Sequence, residues 1–245
     1  MDRAISVLEI LAKRGEVGVS EVAAEIEVHK STAFRLLGAL EARDLVEQAG
    51  ERGKYRLSFG IVRLAGAVAG GLDLTQQSHP VLEVLAEKIG ETVNIATLES
   101  HHAVNLHQVR GPGSVAAHNW VGRLTPLHAT SSGKVLLAHM DRKERARVLA
   151  ETGLKKSTPN TVTSKKRLEG ELEEVLRRGY AVTLNEYEVG LHAMAAAVRN
   201  QSGEVVAAIS ASGPEYRYTE ERMHEFAPLL IEGAEEISHR LGHLG

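Results

Sequence analysis

Apolar residues near the amino end of the chain follow the three- and four-residue spacing of amphipathic helices. One stripe consists of Ala4, Val7, Leu8 and Leu11, and another of Ala33, Leu36, Leu37 and Leu40. Gly15 and Gly18 interrupt the first pattern, and Ser20 opens a short helix before the second stripe. The pattern therefore predicts three helices, with a tight turn, "VHK", between the second and the third.

The segment that follows alternates apolar and polar residues and predicts a β-hairpin. "DLVEQAGERGKYRL" contains one strand, a tip flanked by Gly50 and Gly53, and a return strand through Tyr55 and Leu57. Three helices followed by a hairpin make a winged helix-turn-helix, which we assign to residues 1–58. In this arrangement the second helix of the pair enters the major groove of DNA with its amino end first.

The predicted reading helix begins with cations and hydroxyls, where positive charge opposes the helix dipole. Ser31 or Thr32 is the expected capping residue of this helix. Arginine and hydroxyl side chains suit base edges and phosphates, and lysine suits phosphates. We therefore predict that double-stranded DNA contacts two groups of residues, one on the helix and one on the hairpin: His29, Lys30, Ser31, Thr32 and Arg35; Arg52, Lys54 and Arg56.

The alternative is that these residues form an ordinary solvated surface. Residues 1–60 contain nine Lys/Arg and ten Asp/Glu, so the segment has no net positive charge to attract DNA. DNA binding then requires the acidic residues to face away from the duplex, namely Glu9, Glu16, Glu21, Glu25 and Glu27.

Residues 59–77 read as a linker helix with an unusually apolar stripe formed by Ile61, Leu64, Ala65 and Val68. Winged-helix proteins commonly read two half-sites as dimers, so a partner chain is one candidate to cover this stripe. The other candidate is the downstream domain of the same chain.

Residues 78–245 alternate between helical and strand patterns and predict an α+β domain with an antiparallel sheet. "HPVLEVLAEKIGE" predicts a helix with Pro80 near its start, and a closing helix begins at Thr219. The predicted strands include "TVNIATLE", "HAVNLHQVRG", "YAVTLNEYE", "HAMAAAVRN" and "VVAAISASG".

Composition narrows the class of protein. The chain has 245 residues, 43% of them hydrophobic and 25% charged, with a formal net charge of −3. It contains no cysteine, which excludes disulfides, thiol catalysis and thiolate metal sites. No apolar run is long enough to span a bilayer and no cleavable leader is evident, so we expect a cytoplasmic protein without membrane contact.

Candidate ligand chemistry lies in "ATSSGK" and in the last predicted strand. Thr130, Ser131, Ser132 and Gly133 stand at a helix start, where free N–H groups and the helix dipole favour an anion such as a carboxylate. Ser210 and Ser212 are two apart on a strand, so their hydroxyls face the same side. The alternative is a serine-rich sheet that is hydrogen-bonded to itself.

Other motifs do not support a metal, cofactor or phosphate loop. His101, His102 and His107 lack a metal-binding signature such as H-E-x-x-H, and "SSGKV" lacks the first glycine and the final hydroxyl of a phosphate-binding loop. We assign no metal and no cofactor. An enzyme acting on a small molecule remains the second hypothesis, although Ser131 and Ser132 become nucleophiles only beside a base.

Several longer motifs resemble the isocitrate-lyase-regulator (IclR) family of bacterial transcriptional regulators across essentially the whole chain. They are "STAFRLLGALEARDLV", "KYRLSFG", "RLTPLHATSSGKVLLA", "RRGYAVTLNEYEVGLHAMAAAV" and "GEVVAAISASGP". The resemblance implies a ligand-responsive regulator, expected to be a repressor, with a GAF-like α+β effector domain. It also implies a homodimer or a dimer of dimers and a small organic effector.

The resemblance further implies specific effector contacts. Ser131, Ser132, Ser210 and Ser212 match family positions that bind ligand, and Leu191 matches an apolar wall. Thr183 stands where some members have an acidic side chain, which puts in doubt a carboxylate partner for an effector hydroxyl there; Asn185 and Glu186 are nearby candidates.

Overall fold

The structure is a computed structural model that describes residues 2–50, 53–65, 69–113 and 119–244. Contacts group the chain into two compact units, Met1–Leu72 and Asp73–Gly245. The finer division into 1–58, 59–77 and 78–245 stays a prediction. None of the helices in the described ranges has the length and apolar character needed to cross a membrane.

The first unit contains the predicted winged helix-turn-helix. Its elements are α1 (Asp2–Arg14), β1 (Val17–Gly18), α2 (Val19–Glu25), α3 (Lys30–Glu41), β2 (Val46–Gln48), β3 (Lys54–Leu57) and α4 (Phe59–Ala65). The strands form an antiparallel sheet in the order β1-β3-β2. Ala33, Leu37 and Leu40 bury one face of α3 against Val7 and Leu11 of α1, as the apolar spacing predicts.

The start of α3 differs from the sequence prediction. The capping residue is His29, whose Nδ1 accepts a hydrogen bond from the Ser31 amide at 3.5 Å and lies 2.9 Å from the Ser31 hydroxyl. Ser31 and Thr32 therefore lie inside the first turn and do not cap it. The imidazole nitrogen provides the acceptor that a helix start needs, a role that sequence rules give to Ser, Thr, Asp or Asn.

The predicted helix start near Pro80 also differs from the structure. Helix α5 runs without interruption over Ala69–Ile89 and contains Pro80 in its interior. Apolar burial compensates for the hydrogen bond that proline cannot donate, because Val81, Leu82 and Leu85 pack into the core directly after it. Val68 and the side chain of Ala65, both assigned to the apolar stripe, lie outside the described residues.

The second unit is an α+β domain, as predicted. Its further elements are β4 (Thr92–Glu99), β5 (His102–Val109), β6 (Leu124–Pro126), a 3₁₀ turn (Leu127–Ala129), α6 (Ser131–His139), α7 (Arg142–Thr152), α8 (Lys165–Arg178), β7 (Tyr180–Leu184), β8 (Leu191–Arg199), β9 (Val205–Pro214) and α9 (Glu220–Arg240). The described strands form an antiparallel sheet in the order β6-β5-β4-β9-β8-β7.

Alternation along β9 shows how the sheet divides the two layers of the domain. Ile209 and Ala211 face a core that includes residues of α5 and α9, whereas Ala208 faces a second core with residues of α6, α7 and α8. Ser210 and Ser212 share the face of Ala208, since residues two apart on a strand point to the same side. Polar side chains on this face therefore lie beneath α6.

Candidate functional sites

The exposed face of α3 carries the residues predicted to read DNA. Lys30, Ser31, Thr32 and Arg35 are exposed, and within the described residues Lys30 and Arg35 form no ion pair with an acidic side chain. Phe34, which sequence reasoning missed, is 58% exposed beside Arg35. An exposed aromatic ring on this face adds an apolar surface suited to a thymine methyl group.

The hairpin contributes less free positive charge than the sequence suggests. Arg56 is paired with Glu47 on the neighbouring strand, with 2.7 Å between Nε and Oε1, and with Glu16 at 3.7 Å. The Arg56 guanidinium lowers the pKa of Glu47. Lys54 is partly buried, and Arg52 lies outside the described residues.

Two of the acidic residues predicted to face away from DNA form ion pairs with a cation on α1. Arg14 binds Glu21 at 2.7 Å and Glu25 at 3.1 Å, and both carboxylates lie on α2. The Gly18 N–H and the Arg14 guanidinium lower the pKa of Glu21. These contacts neutralise negative charge on α2, the helix that precedes α3 in the chain.

The second unit contains a cavity between the sheet and the start of α6. Its floor and walls are formed by Asn94, Asn105, Trp120, Thr125, Ala129, Thr130, Ser131, Ser132, Thr183, Tyr187, Leu191, Ala193, Ser210 and Ser212. The structure thus brings together every residue predicted for the effector site except Gly133.

The floor of the cavity follows from strand register. Asn94 on β4 lies directly opposite Ser210 on β9, and Ser212 lies opposite Ala193 on β8. Thr183 on β7 continues the row as the partner of Ala193. A band of small and polar side chains therefore crosses the sheet beneath the helix.

The roof is the first turn of α6. The Thr130 hydroxyl caps the helix by accepting a hydrogen bond from the Gly133 amide at 3.3 Å and donating to the Pro126 carbonyl at 3.0 Å. The Ser131 and Ser132 side chains are buried at the cavity, and first-turn amides have no acceptor within their own helix. These groups favour an anion.

Gly133 has a steric role in this roof. A Cβ atom at this position would lie 2.3 Å from the Leu127 carbonyl oxygen, so only glycine lets α6 pack this closely on the 3₁₀ turn. The structure therefore places Gly133 behind the cavity, with its amide already used by Thr130.

Sequence reasoning missed Asn94, Asn105, Trp120, Thr125 and Tyr187 as cavity residues. Trp120 and Tyr187 come from different loops, and their ring centroids lie 6.0 Å apart. Asn94 is 4% exposed, and its Oδ1 has no hydrogen-bond partner among the described residues. One signal was present in the sequence, since Asn94 interrupts the apolar run Val93, Ile95 and Ala96 with a buried amide.

Glu186, one of the nearby acidic candidates, does not line this cavity. Its Oε1 accepts a hydrogen bond from the buried Lys134 ammonium at 2.6 Å, and Lys134 also binds Glu171 at 2.6 Å. Burial raises the pKa of Glu186 despite the attraction of Lys134. Asn185, the other candidate, donates from its side-chain amide to Glu215 at 2.7 Å and is likewise not a lining residue.

The three histidines considered for a metal site each contact a different partner. His107 Nε2 is 2.8 Å from His79 Nδ1, whereas His101 Nδ1 is 3.2 Å from Glu151 Oε2. His102 Nδ1 lies 2.9 Å from the Ser100 carbonyl. Each ring thus has a partner of its own.

A helix-turn-helix unit with an exposed cationic helix, followed by an α+β unit, is the architecture of a DNA-binding transcriptional regulator. Residues 1–50 match the IclR helix-turn-helix domain, and residues 66–239 match the C-terminal domain of bacterial IclR transcriptional regulators. The chain therefore belongs to the IclR family of transcriptional regulators.

Named relatives agree with this assignment. The transcriptional repressor AllR of Escherichia coli strain K12 is 34% identical over 243 residues, which cover 99% of this chain and 90% of AllR. The crystal structure of Thermotoga maritima IclR has a TM-score of 0.83 at 31% identity and covers 99% of this chain and 98% of that one. The protein is thus a regulator, and the hypothesis of an enzyme is wrong.

One solved relative contains a small molecule. An IclR homologue from Microbacterium hydrocarbonoxydans, crystallised with 4-hydroxybenzoate, has a TM-score of 0.83 at 28% identity. The match covers 98% of this chain and 97% of the homologue.

Proposed function

We propose that this protein is a repressor whose operator affinity changes when a small carboxylic acid binds in the cavity between α6 and the sheet. The observation that carries the proposal is the arrangement of the first turn of α6 above Ser210 and Ser212. The carboxylate caps the helix at Ser131 and Ser132, and the strand hydroxyls bind the other polar atoms. The repressor function named for AllR and the ligand held by the Microbacterium homologue support this proposal.

In this proposal, α3 reads operator DNA. Arg35 and Ser31 contact base edges, and Lys30, Thr32 and His29 contact the backbone at the amino end of the helix. Lys54 binds a neighbouring phosphate, and Arg56 contacts the backbone only where it leaves Glu47.

The protein acts as a homodimer or a dimer of dimers. Helix α4 exposes Phe59, Val62 and Leu64, three apolar side chains with 84%, 57% and 59% of their surface accessible. A second copy that covers this face brings two reading helices to two half-sites. The effector shifts operator affinity by binding the two conformations of the protein unequally, and operator DNA changes effector affinity by the same factor.

The test begins with a thermal-shift screen of carboxylic acids and continues with mobility-shift assays on the protein's own upstream DNA. We expect an acid that stabilises the protein to change operator affinity. The double variant Ser210→Ala/Ser212→Ala should lose this response and keep nearly full ligand-free operator binding. Ser131→Leu should do the same by filling the cavity.

Asn160→Ala is the matched control, since Asn160 lies outside the cavity and its side chain is exposed. It should respond to the acid as the parent does. A double serine variant with an unchanged response would show that the effector binds elsewhere.

A further inference from the structure

The cavity contains an acceptor that the protein itself leaves unused. Asn94 Oδ1 is buried and unpartnered among the described residues, although the side chain borders the cavity. A buried polar atom without a partner costs free energy, so such an atom in a binding site indicates a ligand group that completes it.

The cavity's threonine hydroxyls differ from Asn94 Oδ1, because each already forms a hydrogen bond within the protein. Thr183 donates to the Ala193 carbonyl at 3.4 Å, and Thr125 donates to the Ala103 carbonyl at 3.0 Å. Thr130 donates to Pro126 and accepts from Gly133. Their protons are used within the protein, whereas Asn94 Oδ1 needs a proton from outside.

The absence of charged side chains among the lining residues of the described ranges restricts which hydrogen-bond donor a ligand can present to Asn94. Every residue that borders the cavity in the described ranges is uncharged at neutral pH. An ammonium group here would lose its hydration without gaining a carboxylate partner, which is costly in a buried site. A hydroxyl or an amide N–H loses much less and forms the same hydrogen bond to Asn94.

We propose that the cavity selects small monocarboxylic acids that carry a neutral hydrogen-bond donor, and that Asn94 receives this donor. The inference rests on the proposed function of the cavity and adds the chemical class of the effector. The acid binds at the first turn of α6, and a hydroxyl or amide N–H of the same molecule donates to Asn94 Oδ1. Hydroxy acids fit this description; their oxo, amino and unsubstituted analogues do not.

Two series of probes of nearly constant shape test the proposal by calorimetry on the full chain. The first is lactate, pyruvate and alanine, and the second is 4-hydroxybenzoate and benzoate. We expect the hydroxy member of at least one series to bind at least about tenfold more tightly than its analogues, because a site built to bond a hydroxyl leaves its own acceptor unpaired when the hydroxyl is missing.

The variant Asn94→Leu should remove this preference, so that hydroxy and non-hydroxy members bind within about twofold of each other. Circular dichroism checks that the variant folds, and Asn94→Ala provides a smaller replacement. Asn160→Ala, outside the cavity, should keep the parent's preference.

The proposed selectivity would be overturned if in both series the analogues bind as tightly as the hydroxy acid or more tightly, or if neither hydroxy acid binds. Ser131→Leu separates this failure from failure of the site itself. If acids bind without preference and Ser131→Leu abolishes their binding, the effector site stands and the role of Asn94 is wrong. If Ser131→Leu binds acids as the parent does, the proposed function fails as well.

Discussion

Lys134 and Glu186, neither of which lines the cavity, form a buried ion pair with 2.6 Å between Nζ and Oε1. The Lys134 side chain is 1% exposed and that of Glu186 is 8% exposed, so water screens neither charge well. The pair connects the middle of α6 to the loop that carries Tyr187 into the cavity. Its integrity should therefore matter for stability and for the shape of the site.

Lys134→Met should lower the free energy of unfolding by about 3–5 kcal/mol at neutral pH, because removal of one partner leaves a buried charge uncompensated. Glu186 already has a raised pKa, and loss of Lys134 raises it further. A carboxyl whose pKa is higher in the folded than in the unfolded state stabilises the fold at low pH, and this stabilisation is lost as the pH rises. The loss of stability in Lys134→Met should therefore shrink toward pH 5.

Urea unfolding of parent and variant at pH 5 and pH 8 measures both quantities. Arg167→Met is the control, since Arg167 is exposed and its ion pair with Glu171 at 3.0 Å is worth little. A Lys134→Met defect below about 1 kcal/mol, or one that is equal at both pH values, would contradict the expected burial cost.

Arg35→Ala should weaken specific operator binding by about 1–3 kcal/mol if the guanidinium contacts a base edge. The loss should be larger for operator DNA than for a scrambled duplex, which separates base contacts from phosphate contacts. Fluorescence anisotropy on both duplexes gives the ratio. Arg3→Ala removes an exposed cation from α1 and should leave the ratio unchanged; equal losses for both arginines would mean that α3 is not the reading helix.

Glu47→Gln should strengthen nonspecific DNA binding and steepen its dependence on salt concentration. The substitution releases Arg56 from its 2.7 Å ion pair and makes the guanidinium available to a phosphate. Lys54→Ala should flatten the same dependence. Identical salt slopes in Glu47→Gln and the parent would show that the hairpin of β2 and β3 does not approach the DNA backbone.

The spacing of apolar residues predicted the helices and strands well where these residues repeat with a single helical or strand period. The core of the first unit contains Ala33, Leu37 and Leu40, because helical spacing places all three on one face of α3. The prediction failed at Pro80, where tertiary burial outweighs a local signal for a helix start. The prediction also failed at His29, because an imidazole caps the start of α3, where the sequence preference is for a hydroxyl or a carboxylate.

The cavity shows a different limit of sequence reasoning. Helix-start chemistry, strand alternation and family resemblance located Ser131, Ser210 and Thr183, which the fold brings to one cavity. Asn94 and Trp120 become its neighbours only through sheet order and loop placement, which involve residues far apart in the chain. Arg56 looked free for the same reason, since its partner Glu47 is set by strand register.

If the proposed dimer forms through α4, Leu64→Glu should yield a monomer and greatly reduce operator affinity, because one bound half-site no longer brings the second. Light scattering measures the mass, and circular dichroism checks that the protein stays folded. Leu176→Glu changes an exposed leucine of α8 and serves as the matched control. An intact dimer in Leu64→Glu would place the interface elsewhere.

Gly133→Ala should destabilise the protein, although alanine ordinarily stabilises a helix relative to glycine by up to about 1 kcal/mol. The added Cβ would lie 2.3 Å from the Leu127 oxygen and 2.4 Å from the Leu127 Cα, so α6 must move away from the 3₁₀ turn. Such overpacking costs about 1–3 kcal/mol. The same movement displaces Ser131 and Ser132, so acid binding should weaken together with stability.

Gly170→Ala should have the opposite effect on stability from Gly133→Ala. Gly170 also lies inside a helix, but a Cβ there meets no atom within 4 Å, so the helix preference of alanine acts alone and should raise the unfolding temperature. Differential scanning fluorimetry with and without a bound acid compares the two variants. If Gly133→Ala is as stable as Gly170→Ala and binds the acid normally, close packing of α6 on Leu127 does not shape the cavity.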